Sequence, residues 1–489
     1  MRNIYSILRY FEVDVGNHIL DSNIENISQN SNYMAKDWLF LAISGESYIG
    51  LDYVEQAIKN GAVLVFSDRL VNKFESQVPI LYIPKLQLKL AQFASWFYIE
   101  PSRNKMMIGV TGTNGKSSIC HIFAQILSFY KQDLFVMGTI GNGIWPNLSE
   151  SSRTTSDCVS IQRELVNCNN NFDLAIMEVS SHSLLQGRVK EVNFNIAVWS
   201  NLTHDHLDYH DNMESYYQAK KKLFLMSSVE NIIINIDDSY GYRLYRELLI
   251  ERKDVVITTY SLYMQATIML SNICESLHGF SADLAFNSIK ESIFIPLIGR
   301  FNCENIAAVC ALLYCLGYKS FGRDLSFLNG VKGRMQKLPL DKRHPTVIID
   351  YCHTPDALGK ALKSIQPYAT GYIWCLFGCG GDRDKLKRPK MAMIAEEYAD
   401  KVIITDDNTR YEDSGAIIHD IIQGFRCKEN LIYKVIPSRK KAIRYVLNSA
   451  GINEIILIAG KGHEEYQYKN GIKYKFSEQD IIIKHLESR

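Results

Sequence analysis

The chain has 489 residues, enough for about three domains, and its 47% hydrophobic and 22% charged content excludes a disordered or fibrous class. The formal net charge is +1, so no global field draws the chain to nucleic acid or to an anionic membrane, and any affinity for anions has to be local. No run approaches the ~20 apolar residues of a membrane span, and residues 1–14 are too charged for a signal peptide, so the expectation is a soluble cytoplasmic protein without membrane insertion.

The first hundred residues read as a small mixed α/β unit. Strands are expected over 38–43, 63–66 and 80–83, and helices over 53–60 and 86–97. Pro101-Ser102-Arg103-Asn104 reads as a linker. The middle region opens on an apolar strand over 106–110 and a helix over 118–129. Short apolar runs over 173–179, 195–199 and 231–235 fit central parallel strands. Residues 216–226 and 302–316 read as helices, and 255–284, which lacks helical period, as antiparallel strands.

From 346 onward strand and helix alternate. Strands are expected over 346–350, 372–377, 401–405, 431–436 and 454–459, with helices over 357–365, 388–399, 416–425 and 439–448. This is the pattern of a doubly wound sheet, whose ligands sit at the carboxyl ends of strands. The polar clusters 350–353, 378–384, 406–410 and 460–464 all fall there. The fold class expected is α/β with three domains, 1–103, 104–335 and 336–489: a central P-loop ATPase-like parallel sheet and a C-terminal Rossmann-like doubly wound domain. Eleven scattered cysteines read as mostly buried thiols in a reducing compartment.

The most telling stretch is Thr111-Gly112-Thr113-Asn114-Gly115-Lys116-Ser117, between an apolar strand and a helix. Glycines let backbone N–H groups approach an oxyanion, and the helix start adds its positive dipole end. Lys116 is placed to reach a β/γ-phosphate and the Ser117 hydroxyl to bind Mg²⁺. The first glycine of the usual P-loop spacing is missing at Val110, so spacing alone leaves an ordinary small-residue turn as the alternative. Glu178 ends another apolar strand, where a carboxylate either holds Mg²⁺ or is simply solvated. The run Thr203-His204-Asp205-His206-Leu207-Asp208-Tyr209-His210 is dense in metal-ligand types and suits a divalent ion, zinc, or a capped polar loop. By spacing, Lys220-Lys221-Lys222 is a solvated helix face. Gly378-Cys379-Gly380-Gly381-Asp382-Arg383-Asp384 and Asp407-Asn408-Thr409-Arg410 pair arginines with acids, which fits a zwitterionic amino acid or a surface ion-pair network equally.

Taken in order, these motifs cease to be generic. Gly112 to Ser117, Glu178-Val179-Ser180-Ser181-His182, Asn201-Leu202-Thr203, Asp205 to His210, Asp350-Tyr351-Cys352-His353-Thr354-Pro355, Gly378 to Lys385 and Gly460-Lys461-Gly462-His463-Glu464 together resemble the Mur ligase family of peptidoglycan synthesis. The resemblance spans roughly 25–480. It implies an ATP-dependent amide ligase working through an acyl phosphate, with ATP and two Mg²⁺ as cofactors. Lys116, Glu178, His206 and Lys220 are the implied catalytic residues. ATP is implied at Gly112, Thr113, Asn114, Gly115, Lys116, Ser117, Ser118, Asn305, Arg334 and Asp350. Metal is implied at Ser117, Glu178, His206 and Lys220, the last as a carbamate.

The partners implied are UDP-MurNAc-L-Ala-D-Glu, at Ser31, Thr154, Thr155, Ser180, Gln186 and Arg188, and meso-diaminopimelate, at Arg383, Asp407, Asn408, Thr409, Arg410, Gly460 and Glu464. The uracil end is expected in the N-terminal domain, and the chain is expected to act as a monomer without nucleic acid. The family's Asp-Ser-Arg appears here as Asn30-Ser31-Asn32, and its Asp-Asn-Pro-Arg as Asp407-Asn408-Thr409-Arg410. The alternatives are a lysine-adding ligase of the same family, a folylpolyglutamate synthase, and a homologue that holds nucleotide without turnover.

Overall fold

The computed structural model describes residues 1–13, 22–45, 48–70, 78–151, 153–167, 172–207, 209–341, 343–426 and 432–487. Asp208 of the His/Asp-rich run and Leu431 of an expected strand lie outside these residues. The chain divides into two compact units. The first comprises 1–111, 131–198 and 217–232; the second comprises 112–130, 199–216 and 233–489.

In the first unit, Asn26–Ser28, Trp38–Ala42, Ala62–Ser67 and Ile80–Tyr82 form a four-stranded sheet, parallel throughout. Successive side chains go to opposite faces. Leu39, Leu41, Leu64 and Phe66 join Phe93 and Phe97 of the helix Leu86–Phe97 in one core, while Phe40, Ala42 and Val65 join Val54 and Ala57 of the helix Val54–Lys59 in another. Both faces are covered, which is why these strands read as unbroken apolar runs. A second set runs in the order Phe194–Trp199, Met106–Thr111, Leu174–Glu178, Leu134–Met137 and Asn142–Ile144. Leu174–Glu178 pairs in parallel with both Met106–Thr111 and Leu134–Met137, so the end of Met106–Thr111 and Glu178 open on the same edge. Cys158–Asn167, a helix that apolar spacing did not reveal, packs on Leu86–Phe97.

In the second unit, the helix after the glycine turn is Lys116–Phe129, beginning two residues earlier than its apolar period suggests, and it packs on Arg300–Cys315. The expected antiparallel patch is larger than its sequence outline. Ile268–Ser276, Gly279–Phe286 and a further strand, Ile289–Ile295, form an antiparallel meander, but Val256–Ser261 pairs with Ile268–Ser276 in parallel.

The C-terminal sheet has the order Gln336–Lys337, Thr346–Asp350, Ile455–Ala459, Ile373–Phe377, Lys401–Ile404 and Ile432–Val435; all pairs are parallel except the first. Alternate residues feed two cores. Ile348, Cys375, Phe377, Ile404 and Leu457 meet the helices Pro355–Ile365, Lys387–Tyr398 and Ser414–Ile422. Val347, Ile349, Trp374, Leu376, Ile403 and Ile456 meet Arg439–Ser449 and Glu478–Glu487. Helices on both faces make this a doubly wound sheet. Asp350, Phe377, Ile404 and Ala459 therefore deliver the loops that follow them to one carboxyl edge.

Candidate functional site

The phosphate-type turn lies in the second unit. Gly112 and Gly115 adopt φ +144° and +90°, which a side chain disfavours. Space forbids one as well: a Cβ on Gly112 would lie 1.9 Å from Ser200 Oγ, and one on Gly115 2.5 Å from Asn305 Oδ1. The strand end at Ser200–Thr203 holds the turn open. Thr113 N donates to Asn201 O (2.8 Å), Asn114 N to Asn201 Oδ1 (2.9 Å) and Ser200 Oγ to Asn114 O (2.6 Å). Asn114 Nδ2 reaches Thr203 Oγ1 at 3.3 Å. Asn235 Nδ2 in turn fixes Ser200 O at 2.9 Å.

The helix start has no side-chain cap, since its N-cap is Gly115. Its N-terminal dipole is thus left for a ligand anion. Lys116 Nζ rests on Gly112 O and Thr113 O, both at 2.9 Å. Arg334 Nη2 donates to Ser117 Oγ (3.1 Å), and its guanidinium lies 4.6 Å from the Tyr351 ring centroid. Arg334 Nε is buried with no hydrogen-bond partner among the described residues, an unspent donor beside the turn that an anionic ligand would satisfy. Asn305 is buried and tied through its Nδ2 to Asn302 Oδ1 (3.0 Å). Asp350 spends both oxygens on backbone N–H groups, of Met335 (2.6 Å) and Cys352 (2.7 Å). Burial pushes its carboxyl upward against the pull of Arg334.

In the first unit, Glu178 is buried at its strand end. Its Oε1 accepts from Thr139 N (2.8 Å) and its Oε2 from Thr139 Oγ1 (3.2 Å). Thr139 Oγ1 lies 3.1 Å from Thr154 Oγ1. Thr155 Oγ1 donates to Glu178 O (2.7 Å) and accepts from Ser180 N (3.0 Å). Ser180 caps the helix Ser181–Leu185. Arg188 Nη1 donates to Thr155 O (2.9 Å) and its Nε to Gln186 Oε1 (2.8 Å). Thr154, Thr155, Glu178, Ser180, Gln186 and Arg188 thus form one connected polar cluster. Ser31 is not part of it: its hydroxyl donates to Gln56 Oε1 at 3.0 Å.

Lys220 and Lys221 are 1% and 7% exposed in the helix Met213–Lys221, which corrects the expectation of a solvated face; only Lys222 is exposed. The turn that bears the lysines also buries Tyr217 and Ala219, so it faces inward. His206 has φ +53°, with Nε2 3.6 Å from Asp205 Oδ2. Among the described residues, which do not include Asp208, no three His, Cys, Asp or Glu side chains gather to hold a metal ion. The Mg²⁺ set named from the sequence is of another kind, with a hydroxyl and a modified lysine. Glu178 and Lys220 belong to the first unit, Ser117 and His206 to the second.

The amino-acid residues meet at the carboxyl edge of the C-terminal sheet. Gly378 and Gly460 are there for close approach: a Cβ would come 2.1 Å from Thr405 O and 2.6 Å from Asp407 Oδ2. Gly381 N donates to Asn408 O (2.9 Å) and Arg410 Nη1 to Gly381 O (2.5 Å), joining the two loops. Asn408 Nδ2 donates to Glu464 Oε2 (2.8 Å). Thr409 is buried, Arg410 has φ +53°, and Arg383 is exposed without a hydrogen bond among the described residues. An ion-pair network exists here as well, but neither Arg383 nor Arg410 belongs to it. Its centre is Arg388, fully buried, bonded to Glu412 (2.7 and 2.8 Å), Asp420 (2.8 Å) and Gly380 O (3.3 Å). Hydrogen bonding to Arg388 holds the Glu412 carboxyl down to about 2.

The sequence reading missed the hairpin Tyr466–Lys469/Ile472–Lys475, which ties down the loop before Arg410. Tyr468 N donates to Asn408 Oδ1 (2.9 Å), Gln467 Nε2 to Asp407 O (3.1 Å) and Arg410 N to Tyr468 O (3.0 Å). Asn470-Gly471 at its turn was the available signal.

Comparison with known proteins accounts for nearly the whole chain. Three family models match in order: the Mur ligase family catalytic domain over 23–98, the Mur ligase middle domain over 110–313, and the Mur ligase glutamate ligase domain over 333–462. A Haemophilus influenzae protein named UDP-N-acetylmuramoyl-L-alanyl-D-glutamate–2,6-diaminopimelate ligase is 39% identical over 96% of this chain and 97% of its own. A Pseudomonas aeruginosa protein of the same name is 40% identical over 94% of each. A solved structure of a ligase so named superposes with TM-score 0.64 and 32% identity, over 98% of both chains.

Proposed function

Because the chain belongs to the Mur ligase family, we propose that it is the ATP-dependent ligase adding meso-diaminopimelate to UDP-MurNAc-L-Ala-D-Glu in peptidoglycan precursor synthesis. One observation carries the choice of amino acid. The loop Asp407–Arg410 offers an arginine, and through Asn408 it holds the carboxylate of Glu464. Arg410 takes the distal carboxylate of diaminopimelate and Glu464 its distal ammonium; lysine offers only the ammonium.

In the reaction a substrate carboxylate attacks the γ-phosphorus of ATP, giving an acyl phosphate and ADP. The free amine of the amino acid then attacks the acyl carbon, and the tetrahedral intermediate expels phosphate. All partners in the first step are anionic, so positioning and charge compensation do most of the catalysis. The N–H groups of Gly112 to Ser118 cradle the phosphates. Lys116 exchanges its two loop carbonyls for phosphate oxygens, and Arg334 brings its unspent Nε. Asn305 contacts adenine, and Asp350 holds the turn that carries Arg334. Ser117, Glu178, His206 and a carbamylated Lys220 would hold Mg²⁺ at two sites, which would supply charge compensation for the triphosphate and the acyl phosphate. Carbamylation turns the Lys220 cation into an anion, which makes a buried lysine fit to hold a metal.

Thr154, Thr155, Ser180, Gln186 and Arg188 orient the nucleotide-sugar substrate, and Ser31 lies toward its uracil end. On this reading 1–103 takes the UDP end, 104–335 takes ATP and 336–489 takes the amino acid, in a monomer working in the cytoplasm. No helix among the described residues is long and apolar enough to cross a membrane. The chemistry is tested with substrate carrying ¹⁸O in its carboxylate. One label should appear in the phosphate released as the amide forms; unlabelled phosphate beside amide product contradicts the acyl-phosphate route.

A further inference from the structure

We propose that Lys461 is a positioning residue of the amino-acid site, making Asn408 and Glu464 one rigid receptor for the distal ammonium of the substrate. This rests on the reading of Glu464 above and deepens it. The Lys461 side chain is wholly buried, and a buried ammonium is costly unless its donors are met. It has two acceptors, Asn408 Oδ1 at 2.9 Å and Glu464 Oε2 at 2.8 Å, and lies 5.4 Å from the Tyr466 ring centroid.

The two contacts fix more than themselves. Asn408 Oδ1 takes Lys461 Nζ and Tyr468 N, so the amide cannot flip without setting its NH₂ against two donors. Asn408 Nδ2 is therefore committed to Glu464 Oε2, the same oxygen that Lys461 holds. Both internal donors fall on Oε2, and Oε1 makes no hydrogen bond among the described residues. That leaves Oε1 to receive a ligand ammonium from a carboxylate whose orientation is already set. Asp407 belongs to the same charge set. Burial raises its carboxyl, but Lys461, Arg439, the Asn408 N–H and His353 together outweigh burial and hold it below the usual range.

The test compares diaminopimelate with L-2-aminopimelate, which lacks the distal amine, using phosphate release by the full-length enzyme. In K461M the preference in kcat/KM for diaminopimelate should fall at least tenfold. The loss should lie in KM for diaminopimelate, with KM for ATP and for the nucleotide-sugar within threefold of wild type. A purely structural role would leave the preference intact, and an unchanged preference overturns the proposal. In an E464Q background the same substitution should cost less than threefold, because Lys461 acts through Glu464; an undiminished effect also overturns it. If K461M does not fold, K461R carries the test. It keeps the buried charge but cannot repeat the paired contacts, so the preference should fall at least threefold, and an unchanged one refutes the assignment. If the wild type itself shows no stimulation by diaminopimelate, the function proposed above fails instead.

Discussion

Substituting alanine for Gly112 should weaken nucleotide binding while leaving the fold intact. At φ +144° the residue occupies backbone space that is nearly closed to side chains, and an added Cβ would meet Ser200 Oγ at 1.9 Å and Asn201 N and O at 3.0 Å. Ser200 Oγ can turn away only by giving up its 2.6 Å bond to Asn114 O, which shapes the same turn. Strained backbone of this kind costs about 1–3 kcal/mol and the lost hydrogen bond about 1 kcal/mol. The total of about 2–4 kcal/mol is relieved if the turn leaves its open form. At 1.4 kcal/mol per tenfold that corresponds to roughly 30- to 700-fold weaker binding. Titration calorimetry with Mg-ADP measures it directly. A double variant, G112A with S200A, should recover only part of the loss, because the φ penalty survives removal of the hydroxyl. Binding of G112A within threefold of wild type would refute the reasoning.

Arg388→Met should destabilise the C-terminal region by about 3 kcal/mol, the low end for breaking a buried charge cluster, because Asp420 is 37% exposed and can rehydrate. At about 2–4 °C per kcal/mol, calorimetry should show a melting drop of roughly 6–12 °C; a shift under 2 °C contradicts it. The Glu412 carboxyl is held at about 2 by Arg388, below its unfolded value, so its contribution is complete above about pH 4.5 and fades as pH falls toward 2. Melts between pH 5 and pH 2.5 should lose that slope in R388M, and an unchanged slope would assign it elsewhere. Lys220→Ala should abolish ligation, with partial rescue by short-chain carboxylic acids, and an unaffected variant would contradict a carbamate there.

Much of the architecture could be read from the chain, for a physical reason. The strands Met106–Thr111, Leu174–Glu178, Ile373–Phe377 and Ile455–Ala459 are buried on both faces, so they stand out as continuous apolar runs between turns. The hairpin Tyr466–Lys475 does alternate, with Tyr466, Tyr468, Ile472 and Tyr474 between polar residues around Asn470-Gly471, but its second strand is exposed throughout, so the alternation marks no core face. Ile289–Ile295 does alternate, yet it lies beyond 255–284, the run in which antiparallel strands are expected. Among site residues, those in contiguous motifs such as Gly112–Ser117 and Gly460–Glu464 were legible. Arg388 and Lys461 were not recognised as organising residues. The partners Glu412 and Asp420 of Arg388, and Asn408 of Lys461, lie 24 to 53 positions away, and no local spacing records such pairings; Glu464, three residues from Lys461, does not by itself reveal the link to Asn408. Spacing alone fails at Lys220 and Lys221 for a related reason: a run of three charges looks solvated until the helix carrying it is seen to face inward, and only the family resemblance singles out Lys220.

The most direct test of the account is phosphate release from ATP by the purified full-length chain, with UDP-MurNAc-L-Ala-D-Glu present and each amino acid added in turn. Strong stimulation by meso-diaminopimelate and little by L-lysine is expected, with the new amide seen in the product mass. Stimulation by lysine instead would contradict the roles given to Arg410 and Glu464. Release stimulated by neither would contradict the assignment as a whole.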